Sequence, residues 1–479
     1  MKILVVGLGP TSIGFLYRYK ELSLKETLLN DNELVIIEKN NKPGGLSSSI
    51  TIDEYSFDIG VHLFASHYEY FTKILEKYEK MGLMKRKIRK SLIFYDNKLI
   101  PYPFQSNIHL LDKYKALLML DSMKKSSNIK FGDNINLKQW AIEKFGYEIY
   151  RSFFEPQNEK SWGIPLNNIG SYWLSNRIPK PDVEEIEKKI NHGEKDGTQT
   201  NWGPNNEFFI PSTGRCGDFW SKLVENLSLD INYNTYCGFY VPDVIGVSCS
   251  IFHGNTCLND HFDMVVSSAP LHEVILEIQS PKNLKNPFSN LDNHLRYNFL
   301  CNTIVVIKGD VPEKFKDVTW IYLPNNDYIF YRLSIVTNYS HDTSPPGTFL
   351  INLEASYNNS FLDNIKIIES NAKRILMDLE LTFDLSNIIR IIIQNPYPLN
   401  YPIPTLERNT VLNDIIPYLE SQNIYSRGRF GMYKYEVGNM DHCFMQGVEL
   451  CDRLFNSGTE YTIHDPEFVN SGQMKLDDD

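Results

Sequence analysis

Apolar residues along this chain change their spacing several times, and each change predicts a structural element. Near the end, Met440, Phe444, Val448, Cys451 and Leu454 recur every three or four positions after Gly438-Asn439, the spacing of one buried helical face opened by a glycine turn. At the other end, KILVVGLG from Lys2 to Gly9 is a short apolar run closing on glycines. A helical pattern follows from about Ile13, then a second strand-like run, Glu33 to Ile37, ending on Glu38. Helical spacing dominates from about Leu110 to Arg177, as in Leu117, Leu118, Leu120, Met123 and again in Leu137, Trp140, Ala141, Phe145. Pro179 to Pro211 is polar, charged and rich in Gly and Asn, and reads as a mobile loop. A short strand returns at DMVVSS, around Asp263 to Ser267. From Asn302 to Glu354 the pattern alternates through NTIVVIKG, TWIYLP, YIFYRLSIVTNYS and TFLINLEAS, which predicts a separate, mostly antiparallel sheet.

The N-terminal order of strand, glycine turn, helix, strand and acid has a chemical reading. In a dinucleotide fold, glycines let the backbone approach a pyrophosphate and the terminal carboxylate accepts hydrogen bonds from a ribose. Gly7, Gly9, Thr11 and Ser12 line that turn, and Glu38 is the acid. The third fingerprint glycine is replaced by Ser12, with Gly14 two residues on, so an ordinary tight turn is equally compatible with this segment alone. Pro43-Gly44-Gly45-Leu46-Ser47 supplies a second glycine turn, a common companion of the first in FAD-binding folds and not expected of a simple NAD site. The expected class is α/β. A discontinuous Rossmann-like FAD-binding domain spans 1–90, 207–290 and 409–479, a helical substrate lobe spans 91–206 with the loop 179–211, and an antiparallel β-sheet lobe spans 291–408. The helix opened by Gly438-Asn439 would bring its positive end toward an anion or a polarised cofactor.

Composition narrows the partners. With 479 residues, 42% hydrophobic and 22% charged, the chain suits a globular protein of two or three lobes. A net charge of −11 and only short basic runs, KKSSNIK and MKRKIRK, argue against nucleic acid. The seven cysteines form no CxxC pair and read as scattered reduced thiols, with neither a zinc site nor a disulfide frame. No apolar run approaches a membrane span, and a cytoplasmic location is expected. Oligomeric state, including a homo-oligomer, is left open.

Several polar and aromatic clusters need a role. Asp58-Ile59-Gly60-Val61-His62 follows the second glycine turn, and His62 could face a flavin ring or be satisfied by core hydrogen bonds. Tyr102-Pro103-Phe104-Gln105 and Phe153 to Trp162 pair aromatic faces with amides, a combination suited to stacking on a base, although aromatics in a helical lobe are usually core. Arg177 and Arg332 lie in different lobes. An arginine in an apolar strand tends to need an anionic partner, which could be a diphosphate or a protein carboxylate.

Taken together, GLGPTSIG, GGLSSS, HLFASHYEYF, IPYPFQSNI, NEKSWGIP, WLSNR, NWGPN, FYRLSIVTNYS, YPIPTLER and SRGRFGMYKYEVGNMDHCFMQGVE resemble, in order and spacing, the UDP-galactopyranose mutase family, particularly its eukaryotic type. The resemblance implies an FAD enzyme that isomerises UDP-galactopyranose to UDP-galactofuranose without net redox change. The reduced flavin's N5 would attack the anomeric carbon and form a sugar adduct, with NADPH or NADH as reductant, in the synthesis of cell-surface polysaccharide. It implies a UDP-sugar substrate. Arg177 and Arg332 match the diphosphate clamp, Tyr401 and Tyr435 share that duty, and Asn439 lies near substrate and flavin. Tyr102, Phe104, Gln105, Phe153, Asn158 and Trp162 match the uridine pocket, Asn205 the flap, and Trp320 and Tyr322 the diphosphate and sugar side. His62 and Arg429 match residues lining the flavin, with Gly45, Leu46, Gly60, Val61, Gly438 and Met440 on the cofactor side.

Three departures bear on this resemblance. Val61 stands where a second glycine is usual, Gln157 replaces a tyrosine, and Arg215 adds a charge in Thr213-Gly214-Arg215-Cys216-Gly217. An N-acetylated or deoxy nucleoside-diphosphate hexose is therefore an alternative substrate. A flavin-dependent oxidase or desaturase of the amine-oxidase-like superfamily is an alternative activity.

Overall fold

The computed structural model describes residues 1–471 except 26–28, 30, 127, 133–134, 175–177, 179–180, 198–205, 243–245, 279–293, 358–363 and 396–397. Five parallel strands form the first sheet, in the order Ile424–Ser426, Met264–Ser267, Lys2–Val6, Glu33–Glu38, Asn232–Tyr233. The central strand is a continuous apolar run because both faces are covered, and Ile3, Leu4 and Val5 have no exposed surface. The N-terminal helix, Pro10–Lys25, crosses the C-terminal helix, Met440–Phe455, at backbone distance. A Cβ on Gly14 would lie 2.0 Å from the Phe444 carbonyl oxygen, and one on Gly447 would lie 1.9 Å from that of Thr11. The displaced glycine of the fingerprint therefore serves helix-on-helix packing. A three-stranded antiparallel sheet, Thr235–Pro242, Val247–His253 and Thr256–Phe262, completes this part.

The second large sheet has eight strands and is antiparallel except where Trp320–Tyr322 runs parallel to Ser91–Tyr95. Its register sets Arg332 opposite Glu354, and Glu354 opposite Asn302, so these three side chains share one face. Ser91–Tyr95 and Lys98–Pro101 form its edge, which corrects the boundary expected at residue 91. Leu92, Ile93, Phe94 and Ile100 are buried, and this burial draws the pair into the sheet.

The helical lobe packs Lys113–Ser126, Leu137–Phe145 and Glu155–Trp162 around Leu137, Ala141, Phe145 and Phe153. A π-helical turn, Tyr150–Phe154, precedes the helix that carries Pro156. A proline ring crowds the carbonyl four residues back, and a widened turn relieves that crowding.

The stretch 179–211 is not a plain loop where it is described. Val183–His192 is a helix, capped by the Asp182 side chain accepting from the Glu185 N–H at 3.0 Å, with Ile186 and Ile190 buried in the helical lobe. Glu207–Pro211 is a strand paired with Met84–Ile88. The many charges of this segment lie on the helix's outer face and conceal two apolar anchors at i, i+4.

Candidate functional site

The dinucleotide cradle is built from two glycine turns pressed together. Gly7 has φ +79°, its N–H donates to the Ile37 carbonyl at 2.9 Å, and a Cβ there would lie 2.8 Å from Ser268 Oγ. The Gly44 N–H donates to the Leu8 carbonyl at 2.8 Å, which brings Gly45 and the half-buried Leu46 beside Gly9. A Cβ on Gly45 would stand 3.4 Å from the Gly9 Cα, so a bulkier turn would fill the groove. Glu38, buried at the end of the second strand, accepts from the Leu8 N–H at 2.6 Å and from the Asn40 backbone and side-chain amides at 2.8 and 2.7 Å. Ser12 Oγ lies 3.0 Å from Ser268 Oγ, and Thr11 is buried under the segment that carries Gly428.

A second group of residues gathers where the C-terminal segment meets the turn after Asp58. Gly60 takes the left-handed step, φ +74°, and Val61 keeps the ordinary sign of φ. His62 is half-buried, its buried Nδ1 has no hydrogen-bond partner, and its pKa falls to about 3 through desolvation and then through the positive charges of Arg429 and Arg332. The imidazole is therefore neutral. Asp58 moves the other way, up to about 7, because burial outweighs the hydrogen bonds it accepts from Ser49 Oγ and from Cys216. Arg429 Nη1 donates to the Gly438 carbonyl at 3.3 Å, its guanidinium lies 5.1 Å from the Tyr401 ring centre, and its buried Nε has no partner. Asn439 begins the C-terminal helix without a side-chain capping bond, next to the half-buried Met440. Two buried donor-capable groups, His62 Nδ1 and Arg429 Nε, thus lack partners within the protein. Together with the glycine groove, they fit a flavin dinucleotide.

The first turn of that helix also carries Asp441. His67 Nδ1 lies 2.7 Å from Asp441 Oδ2, to which the His67 backbone N–H also donates at 3.0 Å, and His442 Nδ1 lies 3.3 Å from Oδ1. These side chains are close enough to share a cation. Burial would raise the Asp441 pKa, but the flanking histidines hold it well below the usual carboxylate range. At the positive end of a helix the carboxylate itself is the favoured charge, and the cluster clips the segment after His62 to the helix.

The remaining site residues come from all three parts. Tyr401 from the sheet lobe, Tyr435 from the C-terminal segment and Trp162 from the helical lobe meet with ring centres 4.8 to 5.5 Å apart. Burial, against the pull of Arg332, pushes the Tyr401 phenol up to about 12, so it remains a donor. The Arg332 guanidinium lies 5.5 Å from the Trp320 ring centre, and Tyr102 packs on Tyr322 at 5.5 Å. Arg332 donates through Nε and Nη2 to the buried Glu354 carboxylate, so the carboxylate reading of this arginine is realised, with Nη1 as its remaining edge. Phe104 is fully buried and stacked on Phe153 at 4.6 Å, which makes it a support for Phe153 and not an open stacking face. Gln105 is buried, and Asn158 Nδ2 donates back to the Phe154 carbonyl at 2.8 Å. Gln157 Nε2 donates to the Tyr331 carbonyl at 3.0 Å. Arg215 pairs with Asp218 at 2.8 Å at the start of a helix, a local role. Arg177 and Asn205 lie outside the described residues.

Sequence reasoning passed over Glu354, Trp173 and Lys160. Trp173 packs edge-on against Tyr435 at 5.0 Å. Lys160 Nζ lies within hydrogen-bond distance of the carbonyls of Leu323, Asn325, Tyr328 and Phe330, more acceptors than its three N–H groups, and burial lowers its pKa to about 7. It pins the loop that leads into Tyr331 and Arg332. A lysine set between Phe153-Phe154 and Trp162 is the available signal.

Comparison with known proteins agrees with this fold. A family model described as an NAD(P)-binding Rossmann-like domain matches residues 5–78. A crystal structure of reduced UDP-galactopyranose mutase superposes with a TM-score of 0.87 and 27% identity, covering 99% of this chain and 98% of that one. The chain is similar to UDP-galactopyranose mutase over its whole length. It is an enzyme of mutase type on a flavoprotein fold. Oxidases share the architecture at lower identity. A protein assigned as a protoporphyrinogen oxidase from Exiguobacterium sp. 255-15 gives a TM-score of 0.70 at 12% identity over 95% of this chain and 98% of that one. Putrescine oxidase bound to putrescine gives 0.60 at 12% over 95% and 99%. These two carry the fold alone. Among the described residues no helix is long and apolar enough to cross a membrane.

Proposed function

We propose that this mutase-like enzyme interconverts UDP-galactopyranose and UDP-galactofuranose, or a closely related nucleotide sugar, on FAD in its reduced state and without net redox change. The observation that carries the reading is the meeting of Arg332, Tyr401 and Tyr435, from separate parts of the chain, beside the flavin-side pair His62 and Arg429. The glycine turns and Glu38 would hold the dinucleotide, with His62 and Arg429 at its ring. When reduced, FAD supplies the electron pair that substitutes at the anomeric carbon.

The protein's own part follows from charge and geometry. A diphosphate has to leave carbon and yet stay in the site, so guanidinium and phenol donors must hold it where its charge develops. The outer edge of Arg332, with the hydroxyls of Tyr401 and Tyr435, is suited to that. Tyr102, Tyr322, Trp320 and Phe153 give aromatic surface for the uridine and sugar side, and Asn158 and Gln105 give amides for the base edge. A neutral His62 adds no charge beside the cofactor and can exchange one hydrogen bond. Arg177 and Asn205 are the further candidates for the diphosphate and the closing flap, and NADPH or NADH the candidate reductants.

Dithionite-reduced protein incubated with UDP-galactofuranose should yield the pyranose, followed by ion-exchange chromatography, and the oxidised protein should not. No conversion of this or any of several nucleoside-diphosphate hexoses by flavin-loaded, reduced protein would sink the reading. Anaerobic bleaching of the flavin by an amine, with a stoichiometric oxidised product, would replace it with the oxidase reading.

A further inference from the structure

Glu354 belongs to a strand whose alternating pattern gives it no distinction, and it is almost completely buried. Its carboxylate serves two structures at once. Oε2 accepts from Arg332 Nε, while Oε1 accepts from Arg332 Nη2 at 2.9 Å and from the Val61 backbone N–H at 3.1 Å. Glycine at position 60 permits the close approach, since a Cβ there would stand 3.2 Å from Oε1 and 3.0 Å from Leu300. Asn302, in register on the other side of Glu354, donates to the Asp58 carbonyl at 3.2 Å at the start of the same turn.

We propose that Glu354 is a positioning residue that ties the diphosphate arginine, Arg332, to the flavin-side turn Gly60-Val61-His62 through one shared carboxylate. The proposal rests on the reading of Arg332 as a diphosphate donor. A bidentate carboxylate fixes the plane of a guanidinium, so the free Nη1 edge points in one direction only. Bound UDP can be reached by an arginine in several poses, whereas a diphosphate departing from a carbon held at the flavin must be met in one. Orientation therefore matters to the reacting state more than to ground-state binding. The negative charge of Glu354 also opposes anion binding, so its removal should not weaken UDP.

The isosteric change Glu354→Gln separates these effects, because glutamine keeps the volume and an acceptor for Val61. With flavin content retained, kcat for UDP-galactofuranose should fall about tenfold or more, while the UDP Kd by calorimetry stays within about threefold or tightens. A residue that merely fills space would leave kcat untouched in this variant. A residue needed to form the pocket would lose UDP affinity in parallel with turnover. Either of those results overturns the proposal. If Glu354→Gln does not hold flavin, Glu354→Asp, which keeps the charge and loses the reach, is judged by the same split. Absent UDP binding in the unaltered protein would overturn both this inference and the functional reading, whereas a silent Glu354→Gln in an active protein overturns this inference alone.

Discussion

His62 and Asp58 stand on one short turn, and their ionisations pull the stability of the fold in opposite directions. Burial first, then Arg429 and Arg332, lowers the His62 pKa from 6.5 to about 3. A depressed folded value means stability is fully present above the unfolded pKa and is lost as pH falls through the window between them. For Asp58, burial raises the pKa from 3.8 to about 7, so its contribution is full below the unfolded value and is lost as pH rises through that window. Asp58→Asn keeps the oxygen that accepts from Ser49 and Cys216 and removes the titration. It should gain about 1–3 kcal/mol over the unaltered protein at about pH 8, with the gain shrinking by about pH 5, in urea unfolding curves. An equal gain at both pH values would show that Asp58 is not held protonated by its surroundings. Neither shift was legible in DIGVH, because it comes from what covers the turn. Arg332 drew attention as a charge in an apolar strand. Glu354, in TFLINLEAS, carries no signal of its own in the sequence, because its partner lies 22 residues away and is found only through the register of two strands.

At the scale of elements, two kinds of glycine sit in or near the dinucleotide fold, and the fingerprint alone does not tell them apart. Gly447 and Gly14 are where two helices touch backbone to backbone, whereas a Cβ on Gly9 would meet only Ser268 Oγ, at 3.8 Å. Gly447→Ala should therefore cost about 2–3 kcal/mol of stability, as other forced overpackings do, and lose flavin with it. Gly9→Ala should keep the melting temperature of the flavin-free protein and lose FAD affinity, read as absorbance retained after gel filtration. If both variants lose stability alike, Gly9 is a packing residue and not part of the cradle. The elements themselves were largely legible: the N-terminal strand, its helix, the sheet from Asn302 to Glu354 and the C-terminal helix fall where periodicity puts them. The helix Val183–His192 was not, since Ile186 and Ile190 are a thin apolar signal among five charged residues. The edge strands within 91–101 join the large sheet and not the helical lobe, because strand partners are a tertiary choice, here made by pairing with Trp320–Tyr322.

On the scale of the molecule, the parts meet at a cluster of rings. Trp162 ends the helix Glu155–Trp162, Tyr401 lies on a strand of the large sheet, and Tyr435 lies just before the C-terminal helix. The helix end is itself clamped from the sheet side: Asn298 Nδ2 donates to the carbonyls of Ser161 and Trp162 at 2.9 and 3.0 Å, and its Oδ1 accepts from the Tyr401 N–H at 2.9 Å. Trp162 therefore fixes the distance between lobes at the ring cluster proposed to receive the substrate. The dinucleotide cradle of Gly7, Gly45 and Glu38 does not depend on that junction, since its contacts, those to Ser268 included, stay within the part of the chain built on the parallel sheet. Trp162→Ala should then separate two affinities that a general unfolding would lower together. Truncating a buried tryptophan costs about 3–5 kcal/mol where the site cannot collapse, and here the cost falls on the junction of lobes. The expected outcome is a UDP Kd raised about tenfold or more with flavin content near that of the unaltered protein, while Trp162→Phe recovers most of the UDP affinity. Flavin and UDP lost in equal measure would mean that the lobes and the cradle are one cooperative unit, and that the ring cluster holds the whole fold and not the substrate side of it alone.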